Sequence, residues 1–546
     1  MDRVGSMSID EKIGQIAMVG IDGPELTPSD EEFISKYRVG NAVFLGRNIV
    51  SPSQAQSLTH RFQEIASRRR HPVGFLLSID QEGGVVARLT RGETVFPGNM
   101  ALGATRSEEY ARRAAEVTAD EMTALGFNMN LAPVLDINNN PRNPGIGVRS
   151  FGEDVSLVTR LGVAMIRAYQ RSGVVATAKH FPGKGDVTVD SHLDLPTVAH
   201  SKERLASVEL APFEAAIRAG VEAIMTAHVF FPAVEPEPAI PATLSRSVLT
   251  GLLRDELGFE GVVLTDDLFM GAIRKRFTTG EAAVRALDAG ADMVLLCHNQ
   301  AEQGAALDAV RDAVRKGTLS EERLDEAVGR VLALKARYGL LDPERYLSLR
   351  GLERVGSEEN RQVALEIARQ SVTLLANRQG LVPLAPRECR NLLVMSPDIR
   401  ALTQVEEEQL SESPLAVAIR RFVPGARSFV FSQSPTAVEI ADAVKLVLSS
   451  DVDVVVVGSY NAHLYEQQGA LVNALLDTGV PLVVVAMRNP YDIQMFPSVS
   501  TYIAAYGFRE CTMRAVAELI FGLAKPKGRL PVSIPGICEY GSGLTL

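Results

Sequence analysis

A chain of 546 residues is too long for one ordinary core and points to two domains, because an α/β barrel would take more than the usual share of the length. With 46% hydrophobic and 22% charged residues it is composed to fold throughout, and a net charge of -10 argues against a nucleic-acid binder, which needs a basic stripe for phosphates. Cys297, Cys389, Cys511 and Cys538 are widely spaced with no C-x-x-C pair, which indicates neither zinc nor a disulfide framework and suits a reducing compartment.

The N-terminal stretch MDRVGSMSIDEKIGQIAMVGI carries an acidic flank before a short apolar run, so it fails as a signal peptide, and no apolar run approaches the roughly 20 residues that span a bilayer. The expectation is a cytoplasmic protein without a membrane partner, or a secreted or cell-surface one if a leader has been removed. The one basic run, Ser67 to His71, follows an amphipathic helix and reads as a solvated helix end.

Eight apolar segments then recur: IGQIAMVGI from Ile13, VGNAVFLG from Val39, VGFLLSID from Val73, FNMNLAPVLDI from Phe127, GVVATAKH from Gly173, EAIMTAHV from Glu222, GVVLTDD from Gly261 and ADMVLLC from Ala291. Such runs, without polar alternation, are strands buried on both faces. Amphipathic helical patterns separate most of them, for instance Ser51 to Arg69, Ser107 to Gly126 and Ser156 to Gly173, each closing with Gly or basic residues. Strand and helix alternating eight times predict a (β/α)8 barrel of the TIM type; an open doubly wound sheet is disfavoured because no G-x-G-x-x-G follows the first strand. After the helix of Ser320 to Leu341 and a polar stretch the pattern restarts with NLLVMS, RSFVFS, VDVVVVGSY, PLVVVAMRNP and TYIAAYG. The predicted organisation is a barrel over 1–345, a linker over 346–360 and a smaller open α/β sheet over 361–546.

In a barrel the reacting groups sit where strands end. Four segments finish in ionisable residues: Asp80, Glu82 and Arg88; Lys179 and His180; His228; Asp266 and Asp267. A strand-end carboxylate is expensive to bury without a task. Asp80 before Gln-Glu-Gly-Gly reads as an acceptor for ligand hydroxyls, with Arg88 a donor nearby. The loop from Asp136 to Asp154 superficially spells a calcium site at Asp136, Asn138 and Asn140, but Pro141 stands where an EF-hand needs Gly and Gly147 where it needs Glu. Arg149 in that loop is either a loop-fixing guanidinium or a ligand clamp.

The fourteen residues KHFPGKGDVTVDSH, Lys179 to His192, crowd opposed charges behind the fifth segment. His180, Asp186, Asp190 and His192 lack the helix spacing of a metal site, so no metal or other cofactor is expected. Asp190 and His192, two apart, can let a carboxylate fix an imidazole tautomer for acid/base work.

These segments resemble bacterial β-N-acetylglucosaminidases of glycoside hydrolase family 3. KHFPGKGDVTVDSH carries the resemblance, and IDQEGGVVARL, GVRSFGED, MTAHV, LTDDLFMGAI and the closing GRLPVSIPG match in the same order. The resemblance implies that the barrel is catalytic and that residues 361–546 form an α/β sandwich domain, and it implies a retaining exo-glycosidase acting on small carbohydrates, in particular muropeptides or peptidoglycan fragments with terminal β-linked N-acetylglucosamine. Asp266 would be the nucleophile, and His192, oriented by Asp190, the acid/base in place of a second carboxyl group. Asp80, Arg88, Arg149, Lys179 and His180 would line the sugar subsite, with His228 near it. Lys184 stands where many relatives have His and would contact an anionic aglycone or, with the greater weight, face water. Alternatives are a β-glucosidase or broad exo-glycosidase, a phosphorylase, and a non-catalytic sugar-binding protein; a monomer or homodimer is compatible with all of them.

Overall fold

The computed structural model describes residues 3–348, 351–399 and 412–546. Each predicted segment of the first half supplies one strand: β1 (Ala17–Gly20), β2 (Asn41–Phe44), β3 (Leu76–Ile79), β4 (Met129–Asn130), β5 (Val175–Phe181), β6 (Ala223–Thr226), β7 (Val262–Leu264) and β8 (Val294–Leu296). They run parallel in the order β8-β1-β2-β3-β4-β5-β6-β7. A parallel bridge between Leu264 and Met293, with Asp292 N–H donating to Val263 O at 2.8 Å, joins the two ends of the sheet. The interior is filled by Met18, Val43, Leu76, Met129, Met225 and Leu295 among others, so the barrel is a packed core and not a pore.

Two strands depart from the sequence reading for local reasons. The segment from Ile13 begins as helix: Ser8 and Glu11 cap Ile9–Ile16 reciprocally, and Ile9, Ile13 and Ile16 recur at helical spacing, so only AMVG is strand. β4 is two residues long because Pro133 has no N–H for the ladder; the chain continues beside β5 through Leu135 N–H, which donates to Lys179 O at 2.6 Å.

A second sheet comprises β9 (Thr373–Asn377), β10 (Leu392–Pro397), β11 (Arg427–Phe431), β12 (Val454–Ser459), β13 (Leu482–Ala486) and β14 (Thr501–Ala504). Its order is β9-β14-β13-β12-β10-β11, parallel except for the antiparallel β9–β14 pair. Five of these strands were anticipated; β9, which follows a helix directly, was not. That helix, Glu358–Ser371, packs on Asn99–Thr105 of the barrel unit and on Glu510–Ile520 of the second, so it stitches the two together. Among the described residues no helix is long and apolar enough to cross a membrane.

Candidate active site

The mouth of the barrel is built outward from the carboxyl ends of its strands. After β3 the chain makes a short hairpin, Gln81–Gly83 paired with Val86–Ala87, turning through Gly83 and Gly84 at φ of +87° and +58°. Gln81 Oε1 accepts from the N–H groups of Arg88 (2.9 Å) and Leu89 (3.0 Å), which closes the hairpin from within. Asp80 and Glu82 thereby face the end of β5. Lys179 Nζ lies 2.6 Å from Asp80 Oδ1 and 2.7 Å from Glu82 Oε1, and Arg88 Nη2 lies 3.9 Å from Asp80 Oδ2.

Arg149 completes this network through a bidentate pair with Glu82, Nη2 to Oε1 at 2.7 Å and Nε to Oε2 at 2.9 Å. Burial alone would raise Glu82, but Arg149 and Lys179 outweigh it and hold the carboxyl at about 2. Burial likewise works against the charge on Lys179, which Asp80 and Glu82 nevertheless raise above its ordinary value. A buried charge cluster of this kind is tolerable only when each member is paired. Glu82, quoted in the sequence as a strand-end ion and given no role, is the member that holds both Arg149 and Lys179.

His180 projects from β5 onto Asp136, with Nδ1 2.7 Å from Oδ2, while Asp136 Oδ1 accepts from Lys184 N–H at 2.7 Å. Burial, aided by the charges of Lys184 and Arg149, keeps His180 well below the usual imidazole range, and burial raises Asp136 to about 6. Asp136 is thus the buried hydrogen-bond partner of His180. The expectation that Lys184 faces water is corrected: its side chain is buried and Nζ lies 3.6 Å from Asp266 Oδ2, because the Phe-Pro-Gly turn folds it inward behind Asn143, whose Nδ2 donates to Lys184 O at 2.8 Å.

The adjacent aspartates after β7 diverge. Asp266 meets Lys184, and its Oδ1 accepts from Asp267 N–H at 2.9 Å. Burial would raise it, but the charges of Lys184, His228 and His192 leave it below its ordinary value. Asp267 turns toward β8, where Oδ1 accepts from Cys297 N–H (3.1 Å) and Phe269 N–H (3.3 Å); burial and the neighbouring Asp266 charge raise it to about 7. His228, expected beside the sugar, instead stands fully buried with Nδ1 2.7 Å from Thr243 Oγ1 and Nε2 2.9 Å from Asp267 O. Both ring nitrogens are engaged within the protein, so His228 supports the Asp266 segment.

The loop after β5 returns to this point. Asp190 Oδ1 lies 2.8 Å from His192 Nδ1 and accepts from His192 N–H at 2.9 Å. Burial opposes ionisation of Asp190, but the hydrogen bonds and charge of His192 prevail and hold it at about 2. An ionised carboxylate only accepts, so the Nδ1 proton is fixed there and Nε2 is the nitrogen left to exchange a proton. Gly271 N–H donates to His192 O at 3.1 Å and Ala272 N–H to Ser191 O at 3.1 Å, tying the loop to the helix that follows Asp266. A Cβ on Gly271 would sit 2.5 Å from His192 O, so only glycine permits this approach. Arg149, Lys184, Asp190 and His192 line one recess beside Asn143 and Pro196.

An ionised carboxylate beside a lysine, with a carboxylate-oriented imidazole pinned to the same segment, equips a barrel mouth for nucleophilic attack with proton transfer. It defines a barrel enzyme whose rim is crowded with groups able to bind hydroxyls. Residues 8–334 match the glycosyl hydrolase family 3 N terminal domain and residues 372–540 the glycosyl hydrolase family 3 C-terminal domain. The chain is 32% identical over 554 residues to "Beta-hexosaminidase A" of Pseudoalteromonas piscicida, covering 93% of this chain and 91% of the relative. It is 31% identical over 553 residues to a "Beta-N-acetylglucosaminidase/beta-glucosidase" of Cellulomonas fimi, covering 97% and 94%. A solved family 3 β-N-acetylglucosaminidase from Paenibacillus sp. str. FPU-7 superposes with a TM-score of 0.91 at 44% identity, covering 97% of this chain and 99% of that one. The chain belongs to glycosyl hydrolase family 3 and is a glycoside hydrolase.

Proposed function

We propose that the protein is a retaining exo-β-N-acetylglucosaminidase that removes terminal β-linked N-acetylglucosamine from muropeptides or peptidoglycan fragments. The barrel, residues 1–345, carries the reacting groups. Asp266 attacks the anomeric carbon while His192 Nε2–H protonates the leaving oxygen; the neutral ring then takes a proton from water as water displaces Asp266 from the glycosyl-enzyme. Asp190 holds the ring in the required tautomer and stabilises its charged form. Asp80, Arg88, Arg149, Lys179 and His180 line the pocket for the terminal sugar.

The observation that carries this reading is the 2.8 Å Asp190–His192 pair on a loop bonded to Gly271, a few residues after Asp266. The names of the Pseudoalteromonas, Cellulomonas and Paenibacillus relatives agree with it. A cytoplasmic location is part of the proposal, and the four free cysteines are compatible with it without selecting it.

The test compares kcat/KM for an aryl N-acetyl-β-glucosaminide, an aryl β-glucoside, and a disaccharide of N-acetylglucosamine β-linked to a muramic acid unit, in phosphate and in a phosphate-free buffer. The reading requires the glucosaminides to be favoured and free N-acetylglucosamine to be released in both buffers. Equal rates on the glucoside would favour a broad exo-glycosidase, and sugar 1-phosphate in phosphate buffer would replace hydrolysis by phosphorolysis.

A further inference from the structure

The loops that carry Glu82 and Arg149 are held on one side by the barrel and on the other by the second domain. On the barrel side Gln81 closes the hairpin, and Asn99 Nδ2 donates to Arg149 O at 2.7 Å. On the far side Arg509 Nε donates to Gly84 O at 2.5 Å, at the turn of that hairpin. Tyr491 Oη accepts from Asn138 Nδ2 at 2.8 Å, at the start of the Arg149 loop. Asn489, locked by its Nδ2 bond to Asn461 Oδ1 at 2.8 Å, bears on Gly147, where a Cβ would lie 2.5 Å from Asn489 Oδ1. Glu153, at the end of the same loop, accepts from Ser533 Oγ (2.5 Å) and Ser533 N–H (2.8 Å). Val85, Val86 and Val148 belong to the hydrophobic core of the second domain, although the barrel half of the chain contributes them.

These contacts are dry and local to the subsite. Asn489 and Tyr491 are 1% exposed and Arg509 7%, so no solvent layer separates them from the loops they touch. The Arg149 loop has no regular secondary structure apart from the single turn Gly147–Arg149, and the Glu82 hairpin is a ladder of only two registered pairs, so backbone hydrogen bonding within the barrel half gives both little support. The Arg149–Glu82 pair needs its geometry held, because a buried ion pair displaced from its partner leaves uncompensated charge. We propose that the second domain is a working part of the sugar subsite, in which Asn489, Tyr491 and Arg509 are positioning residues that act through Arg149 and Glu82. This rests on the reading of those two residues as part of the N-acetylglucosamine pocket, and it gives the second domain a task that its sequence does not disclose.

The test uses full-length Tyr491→Phe, which removes only the hydroxyl, and Arg509→Met, which keeps the stem and loses the donor. Both are assayed for kcat, KM, inhibition by free N-acetylglucosamine, pH profile and thermal midpoint. The expected result is a fall in kcat/KM of about tenfold in each, with the inhibition constant for the sugar rising by a similar factor and both limbs of the pH profile unmoved, since Asp266, Asp190 and His192 all lie on other loops. Sugar affinity and kcat/KM unchanged within about twofold in folded Tyr491→Phe would overturn the proposal, even if Arg509→Met failed to fold. So would losses that merely track a lowered thermal midpoint at an unaltered inhibition constant. A parent enzyme without activity on any aryl glycoside would contradict the functional reading and this inference with it, whereas an active parent with unaffected variants would contradict this inference alone.

Discussion

Replacing Lys184 by methionine removes the charge nearest the proposed nucleophile while keeping the length of the stem. Lys184 Nζ and Asp266 Oδ2 are 3.6 Å apart, with side chains 7% and 15% exposed. At an effective dielectric near 20 that separation corresponds to about 4–5 kcal/mol of attraction. Water entering the vacated space and the neighbouring His192 return part of this, so the expected change is an upward one smaller than the bare attraction implies. Asp266 must be ionised to attack, and the lysine favours the ionised form; its loss moves the acidic limb of kcat/KM upward, toward neutrality. The assay is kcat/KM against pH on an aryl N-acetyl-β-glucosaminide, with Lys184→Arg as the variant that retains the charge and restores the limb. An acidic limb that stays within about 0.3 unit of the parent in folded Lys184→Met would refute the assignment of Lys184 as the electrostatic partner of Asp266.

Three further predictions follow from the same geometry. His192→Ala should slow turnover by roughly 10² to 10⁴ on glucosaminides with poor leaving groups and far less on those with good ones, measured as a leaving-group series. Gly271→Ala should reproduce much of that loss without a large change in KM, because its Cβ would press to 2.5 Å on the carbonyl of His192 and displace the loop; a kcat unchanged within twofold would show that the loop tolerates the displacement. Asp267→Asn should keep kcat within about tenfold of the parent. Its carboxyl is raised to about 7 in the folded state against about 4 unfolded, so the parent loses stability as pH rises through that window, by up to about 4 kcal/mol. The variant should therefore gain thermal stability over the parent at pH 8 and not at pH 4; an equal loss at both would contradict the assignment.

The barrel was legible because doubly buried parallel strands read as unbroken apolar runs, and its eight runs map onto β1 to β8 one for one. The edges of those runs were not. IGQI and AMVG are both apolar, and only the Ser8–Glu11 capping box separates helix from strand. β9 escaped notice because it is a short strand immediately after a helix, defined by its antiparallel partner β14 and not by its own composition. Within the site, spacing alone pointed to the Asp190–His192 pair, since the two partners lie on one loop. Glu82 with Arg149, Asp136 with His180, and Lys184 with Asp266 come together only through the closed barrel, across separations that no motif encodes. Tyr491 and Arg509 lie further from any such signal, because their partners Asn138 and Gly84 belong to the other domain.

The central claim is that Asp266 becomes covalently attached to the sugar. The most direct measurement is rapid acid quench of His192→Ala turning over an aryl N-acetyl-β-glucosaminide with a good leaving group, followed by proteolysis and mass spectrometry. Without the imidazole to activate water, the second step should lag and the intermediate should accumulate. The predicted result is one N-acetylhexosamine residue on the peptide containing Asp266, localised to that side chain and absent from Asp266→Ala. An adduct on Asp267, or turnover through the quench window with no adduct on any peptide, would contradict it.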